Sequence, residues 1–167
     1  MASNGIDKPV LNAFRMLGML GNQQVKITSS GALPPSDVVA EGVRGKPDIN
    51  AIATRKDNEI AILVWNYHDD DLAAAAPIDL VVEGLPAKAA RGLSEHFRID
   101  ANHSNAFTAW QAMGSPQQPS AAQVQQLQDA GQLQLLTSPS WLPIESGRVH
   151  LQFDLPRQGL SLLRISW

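Results

Sequence analysis

Apolar side chains recur at steps of three and four residues near the start of the chain, the spacing of one helical face. The stripe consists of Val10, Ala13, Phe14, Leu17 and Leu20. Pro9 suits a first helical turn, and Gly21 is a suitable stop. Because Leu11, Met16 and Met19 extend the apolar surface to other sides, the helix lacks the polar face usual on a protein surface. The pattern predicts a helix that packs against something larger than this domain.

After position 21 the period changes to two, which is the period of a β-strand. Alternating runs occur around Val25, Val39, Ile49, Ile78, Leu93, Val149 and Leu163. Residues 59–65 are apolar on both faces and predict a central strand buried on both sides. Glu95 is a polar misfit on the face that Leu93, Phe97 and Ile99 otherwise make apolar. Many short strands separated by Pro, Gly and Asp-Asn turns predict a mainly β fold, an antiparallel β-sandwich.

Residues 103–131 interrupt the strand pattern with two short helical segments. The second segment begins with the sequence of a capping box, in which Ser120 and Gln123 satisfy each other's backbone N–H groups. We therefore expect a helical insertion between two strands. The predicted division is an N-terminal helix over residues 1–21 and a β-sandwich over residues 22–167.

The composition disfavours several classes of site and partner. The chain has 167 residues, 44% of them hydrophobic, which is enough for a packed core. Its 13 Lys and Arg residues form no basic run and the net charge is -3, so nucleic-acid binding is not expected. The absence of cysteine excludes disulfides and thiolate metal sites. No apolar stretch approaches the ~20 residues of a membrane span. The first residues lack the pattern of a signal peptide, and the compartment stays open.

The segment that begins at Trp65, with the sequence Trp-Asn-Tyr-His-Asp-Asp-Asp, is a dense polar cluster. His68, Asp69 and Asp71 are its candidate cation ligands, and Tyr67 belongs to a candidate sugar-contact rim. Calcium loops require acidic ligands at alternate positions, a Gly for the turn and a bidentate Glu. Since the segment lacks the Gly and the Glu, a solvated turn beside a core Trp65 is favoured, and no metal site is predicted.

Adjacent His103 and Ser104 raise the question of a hydrolase triad. A triad needs a nucleophile on a strained turn and a base oriented by a carboxylate, which adjacent residues do not easily provide. Ser104 and Asn105 are better interpreted as caps of the helix that follows, with His103 bonded to a neighbouring loop. His96 and His150 lie in predicted strands, opposite the apolar face, and are expected on the surface.

Four tryptophans are candidates for stacking against sugar rings. Trp65 and Trp167 fall in strands and are expected in the core. Trp110, on the first short helix of the insertion, and Trp141, in a Pro-flanked loop, are the two that a sugar could reach. Burial in the core or at an interface is the favoured role for both, because Trp is usually highly buried.

Two segments resemble the C-terminal part of glycoside hydrolase family 39 β-xylosidases. They are residues 63–71 (LVWNYHDDD) and 103–116 (HSNAFTAWQAMGSP), and the resemblance runs from about Asn12 to the end of the chain. It implies a β-sandwich accessory domain that follows a catalytic barrel, with the N-terminal helix corresponding to the last barrel helix. It also implies a parent reaction, the retaining hydrolysis of β-xylosides through a glycosyl-enzyme intermediate without a cofactor.

Both catalytic carboxylates of that family are missing by motif. The family's acid/base lies in an Asn-Glu-Pro motif, whereas Asn58-Glu59-Ile60 lacks the Pro and begins a sandwich strand. The family's nucleophilic Glu precedes the last barrel helix. Since the N-terminal helix corresponds to that helix, the Glu would lie before Val10, but the 7 residues before Lys8 contain no Glu. The chain alone is not expected to hydrolyse a glycoside, and its membership of a larger enzyme stays open.

Three hypotheses follow from the sequence. The first is a non-catalytic accessory domain that braces the catalytic barrel, and an isolated chain that self-associates through its apolar N-terminal helix. The second is a carbohydrate-binding module that holds xylo-oligosaccharides with Trp110 and Trp141. The third is a small hydrolase, for which no catalytic constellation is found. The residues expected on the barrel-facing or sugar-proximal surface are Trp65, Tyr67, His68, Asp69, His103, Asn105, Trp110 and Trp141.

Overall fold

The computed structural model describes residues 2–167, which form four helices and ten strands. The helices are α1 (Pro9–Gly18), α2 (Pro35–Glu41), α3 (Ala106–Ala112) and α4 (Ala121–Ala130). The strands are β1 (Ala2–Ser3), β2 (Ile6–Asp7), β3 (Gln23–Val25), β4 (Asp48–Lys56), β5 (Glu59–Tyr67), β6 (Ala76–Val82), β7 (Arg91–Ile99), β8 (Gln134–Pro143), β9 (Val149–Leu155) and β10 (Gly159–Ser166). None of these helices is both long and apolar enough to cross a membrane.

The strands form two facing antiparallel sheets and a short N-terminal hairpin. The large sheet has six strands in the order β3-β4-β5-β10-β7-β8, and the small sheet pairs β6 with β9. The remaining pair, β1 with β2, leads into α1. Helices α3 and α4 lie between β7 and β8, as the sequence predicted for the insertion. The mainly β fold, with antiparallel sheets, an N-terminal helix and a helical insertion, is therefore confirmed.

The two faces of the large sheet are buried against different partners. Ile62 of β5 and Leu163 of β10 belong to the core that faces the small sheet. Leu63 and Leu162, their neighbours along the strands, belong to a second cluster beneath α1, which contributes Met16. Alternate side chains of one strand point to opposite faces, so the central strand is apolar throughout. The two-sided burial predicted for residues 59–65 is confirmed for the central strand β5.

Helix α1 packs on the sheet mainly through Met16, and Ala13 is the stripe residue of the helix that packs beside it. It begins at Pro9, as expected, and ends at Gly18, three residues before the predicted stop. Its buried residues are Asn12 and Met16. The stripe residues Val10, Phe14 and Leu17 are 48%, 52% and 44% exposed. The helix therefore has one apolar side on the sheet and a second that is open to solvent.

Two further expectations meet a definite outcome in the fold. The strand expected around Val39 is wrong, since this residue lies in α2 and is 87% exposed. Pro35 in the first turn, with its fixed backbone φ, favours that helix. The misfit of Glu95 is explained by Arg164 of β10, which lies opposite it and bonds both Glu95 at 3.0 Å and Glu59 at 2.6 Å. The polar position is therefore one end of an ion-paired row across three strands.

Candidate functional site

The helical insertion begins directly after β7 with a loop whose polar groups are hydrogen-bonded to one another. One carboxylate oxygen of Asp100 accepts hydrogen bonds from the N–H groups of Asn102 (2.7 Å) and His103 (2.9 Å), and the His103 ring lies 2.8 Å from it. The other oxygen lies 3.3 Å from the guanidinium of Arg98. His103 thus bonds within its own loop, and the prediction that it bonds a neighbouring loop is wrong.

The two predicted caps of α3 have different roles. Asn105 is the N-cap, and its side chain accepts from the N–H groups of Phe107 and Thr108, as predicted. Ser104 is fully buried and caps nothing. Its hydroxyl donates to the Arg98 carbonyl at 2.7 Å and accepts from the Gln134 N–H at 2.8 Å. A hydroxyl bonded on both sides and closed to solvent cannot serve as a nucleophile, so the His103-Ser104 pair forms no triad.

Asn12 of α1 joins the two ends of the insertion. Its side-chain amide donates to the Ser104 carbonyl at 3.1 Å and to the Gly131 carbonyl at 2.7 Å. Its carbonyl oxygen accepts from Arg15, which also pairs with Asp7 at 2.7 Å. The insertion therefore leaves the sheet and returns to it at two points that are both bonded by the buried side-chain amide of Asn12. The sequence contains a weak signal for this contact, because Asn12 lies four residues before Met16 on the same side of the helix.

Burial shifts the protonation of two groups near this network. Desolvation of Asp100 opposes its charged form, but the hydrogen bonds from Asn102 and His103 and the charge of Arg98 hold its pKa below the usual value. Burial, together with the charge of Arg98, lowers the pKa of His96 to about 4. The His96 ring lies 2.9 Å from the Ser161 hydroxyl and packs edge-on against Phe153. The expectation of a surface His96 is wrong, because its side of β7 faces the small sheet.

A groove of about 1220 Å³ lies where the N-terminal hairpin, the start of α1 and α3 meet. Asn105, Phe107 and Trp110 line one side of it, and Val10 lines another. Asp71 and Arg157 reach the same groove from the opposite loops. It therefore brings together the helical insertion and the end of the polar turn, the two regions that the sequence selected. Phe107 and Arg157 were not selected, since nothing in their local spacing distinguishes them.

The polar turn is held by hydrogen bonds within itself and by bonds from Val43 and Arg157 in neighbouring loops. Asp69 accepts from the Val43 N–H at 3.0 Å, which lowers its pKa, and from the Tyr67 hydroxyl at 3.0 Å, which raises that of Tyr67. His68 is buried and accepts from the Asp70 N–H. Over residues 2–167, no group of three or more His, Asp or Glu side chains is arranged to hold a metal ion. Trp65, Tyr67, His68, Asp69 and His103 do not line the groove.

Two of the tryptophan rings are held by hydrogen bonds from their N–H groups, and a third is largely exposed. The Trp65 ring N–H donates to Asp48 at 2.9 Å, and the Trp110 ring N–H donates to the Pro116 carbonyl at 3.0 Å. Trp141 is 55% exposed and lies in β8, so its expected place in a loop is wrong. Trp141 lies opposite Leu93, whereas Ile99 at the other end of β7 lines the groove with Trp110. Six residues of strand, or about 20 Å, separate these positions, so Trp110 and Trp141 form no common platform.

Comparison with known proteins identifies the family. A family model described as glycosyl hydrolases family 39 matches residues 1–147. The chain belongs to this family. The resemblance inferred from residues 63–71 and 103–116 is thereby confirmed.

Individual relatives agree on the family and on the fold. A β-xylosidase from Caldicellulosiruptor saccharolyticus is 27% identical over 154 residues, which cover 91% of this chain and 28% of the relative. The solved structure of a family 39 enzyme from Xanthomonas axonopodis pv. citri has a TM-score of 0.75 at 16% identity, over 96% of this chain and 30% of that one. A monomeric β-xylosidase from Caulobacter crescentus CB15 has a TM-score of 0.72 at 19% identity, over 99% and 32%. The chain thus spans about a third or less of each of these relatives.

Proposed function

We propose that this chain is a non-catalytic accessory domain of a β-xylosidase-like family 39 glycoside hydrolase and that it braces the catalytic barrel. The observation that carries the proposal is the α1 face, defined as Val10, Phe14 and Leu17, which is exposed although the opposite side of the helix is buried. An apolar stripe that is left open on an otherwise packed helix is typical of an interaction surface. The chain covers 28% of the β-xylosidase relative, which leaves ample chain for a barrel.

The α1 face continues into the groove, which gives the proposed contact a defined extent. Val10 belongs to both, and the exposed Phe107 of α3 lines the groove beside it. Arg15, on the same helix, is paired with Asp7. A docking barrel would meet an apolar strip with this flanking charge already neutralised, which lowers the desolvation cost of association.

The carboxylates of the chain support a non-catalytic role. Glycoside hydrolysis needs two carboxyl groups that flank a bound sugar, one of them free to donate a proton. Glu59 and Glu95 are both engaged by Arg164 and lie on a sheet face. Among residues 2–167, two carboxylates line the groove, but Asp100 is buried and bonded to Arg98 and His103, so Asp71 has no second free carboxyl group beside it. In the proposed arrangement the barrel supplies both catalytic carboxylates, and the sandwich supplies stability.

Mixing the chain with a separately produced family 39 barrel tests the proposal. We expect no hydrolysis of an aryl β-xyloside by the chain alone, and a complex with raised barrel stability or activity after mixing. Full burial of a Phe side chain contributes about 1.5–3 kcal/mol, and docking would bury only the 52% of Phe14 that is exposed, so Phe14→Ser should weaken the complex roughly threefold to tenfold. Val39→Ser is the matched control, because Val39 is an exposed apolar residue of another helix.

Two results would contradict the proposal. Hydrolysis by the chain alone, retained through repeated purification, would favour the hydrolase hypothesis over the accessory role. Equal affinities for the Phe14→Ser and Val39→Ser variants would remove the α1 face as the docking surface. The isolated chain is also expected to self-associate with rising concentration, and sedimentation should show that Phe14→Ser weakens this association while Val39→Ser does not.

A further inference from the structure

Trp141 lies in an aromatic surface site at the end of the sandwich opposite the groove. It projects from β8, an edge strand of the large sheet, and is 55% exposed. The guanidinium carbon of Arg91 lies 4.4 Å from the centre of its ring. A cation stacked on one face of an indole holds the ring in place by a cation–π contact. Because 55% of the side chain is exposed, the ring keeps surface on which a ligand can stack.

The same face of the sheet carries a row of groups that can bond hydroxyls. Leu93 lies opposite Trp141, Glu95 is two residues further on the same side of β7, and Arg164 lies opposite Glu95. Glu59 of β5 completes the row through its ion pair with Arg164. From β8 to β5 the row crosses three strand spacings, or about 14 Å, which is the length of two to three sugar rings.

The charges of this row favour a neutral ligand. Two arginines, Arg91 and Arg164, face two glutamates, Glu59 and Glu95, so the row has no net charge. Its carboxylates can accept hydrogen bonds from sugar hydroxyls, and its guanidinium groups can donate to them. The electron-rich face of an indole attracts the C–H groups on one side of a pyranose ring. This combination suits a sugar better than an anion or a cation.

The edge strand is poorly suited to a protein strand as ligand. Pro139 and Pro143 lie within β8 and lack the N–H groups that a further strand would need. Recognition at this edge must therefore use side chains rather than backbone pairing. Trp141 is the large exposed side chain there.

We propose that Trp141, held by Arg91 and flanked by Glu95 and Arg164, is a surface binding site for a neutral β-linked pyranose chain. The choice of xylo-oligosaccharides as the probe rests on the proposed β-xylosidase-like parent. The site needs no barrel residue and lies about 20 Å along the sheet from the groove. It would hold polymeric substrate near the enzyme while the chemistry takes place elsewhere.

Calorimetric titration of the isolated chain with xylohexaose tests this site. We expect saturable binding with a Kd in the range of about 0.1 to 1 mM, which is weak but measurable. Trp141→Ala should weaken it at least tenfold, and Trp141→Phe, which keeps an aromatic face, should retain part of the affinity. Val39→Ala is the matched control, because Val39 is an exposed apolar residue of α2, outside this row and outside the α1 face, and should bind as the unchanged chain does.

Several outcomes would overturn the site. These are the absence of saturable binding by the unchanged chain, equal affinity in Trp141→Ala, or a preference for oligosaccharides that carry uronic acids over neutral ones. Urea unfolding of each variant distinguishes loss of the site from loss of the fold. Failure here leaves the accessory role intact, since that role depends on the α1 face, and failure of barrel docking leaves this titration unaffected.

Discussion

The side-chain amide of Asn12 offers a sharp test of how the helical insertion is held. It donates to the Ser104 carbonyl at 3.1 Å and to the Gly131 carbonyl at 2.7 Å, and these carbonyls stand at the two ends of the insertion. Asn12→Asp keeps the shape of the side chain and leaves no cavity. It replaces the donating NH₂ group with an oxygen that faces two carbonyl oxygens. The substitution therefore leaves the packing unchanged, and it removes both donors while it adds a negative charge at a buried position, which increases the loss at pH 7.

The expected loss of stability follows from the two carbonyls. Asn12 and Ser104 are fully buried and Gly131 is buried, so water does not replace the lost donors. A buried acceptor that is left unsatisfied costs about 1–3 kcal/mol, which gives about 4 kcal/mol for the pair. Protonation of the new carboxyl restores one donor, so the loss at pH 7 should shrink in acid. A domain of this size is usually stable by about 5–15 kcal/mol, so the variant should fold but with a much lower urea midpoint.

Urea unfolding followed by circular dichroism measures the effect, with Asn22→Asp as the matched control. Asn22 is exposed, and the same chemical change there should alter the free energy of unfolding by less than about 0.5 kcal/mol. The reasoning is refuted if Asn12→Asp costs no more than the control. An unchanged loss between pH 7 and pH 4 would show that the carbonyls are not the cause.

Three further predictions concern pH, backbone strain and ion pairing. In the folded protein the pKa of His96 is about 4, below the ~6.5 of a free ring, because the folded state disfavours the protonated ring. The stability that this preference gives the fold is complete above pH ~6.5 and is lost as the pH falls towards 4. The corresponding change in the free energy of unfolding is on the order of 3 kcal/mol. Urea unfolding at several pH values should show that His96→Gln abolishes this pH-dependent change and that the exposed His150→Gln does not. Ser104→Ala and Ser104→Gly both lose two buried hydrogen bonds, at about 1–3 kcal/mol each, but only Gly accepts the φ of 54° without strain. Denaturation should therefore show that Ser104→Ala is less stable than Ser104→Gly, and the reverse order would contradict the argument from backbone strain. Arg164→Met leaves two half-buried glutamates without an ion-pair partner, so it should lower the free energy of unfolding by about 1–2 kcal/mol. The same change at the exposed Arg44 should lower it by less than about 0.5 kcal/mol. Thermal unfolding measures both, and equal losses would count against the ion-paired row.

Local patterns in the sequence predicted the elements whose structure depends on local chemistry. The capping box of α4 forms between Ser120 and Gln123 as expected, because both partners lie within one turn. The two-sided apolar run of β5 could only be buried in the middle of a sheet, and it lies between β4 and β10. The division into residues 1–21 and 22–167 stays a prediction.

Contacts between distant segments were beyond the reach of the pattern. The spacing of α1 selected Val10 and Phe14, yet the sheet buries Asn12 and Met16. Periodicity measures how apolar residues are spaced and gives no information on which side the sheet will lie. The prolines that flank Trp141 predict a loop, but Pro is tolerated in an edge strand, and only the sheet order makes β8 an edge.

Helix α1 has a buried side and an exposed side, and the proposed accessory role depends on both. Its buried side fixes the insertion through Asn12, and its exposed side offers Phe14 to a partner. A rigid helix moves as one body, so a force on the exposed side is transmitted to the carbonyls of Ser104 and Gly131. The α3 wall of the groove follows directly after Ser104. Asn12 is therefore the residue through which α1 holds the α3 wall of the groove, and we expect Asn12→Asp to loosen both the seat of α1 and that wall.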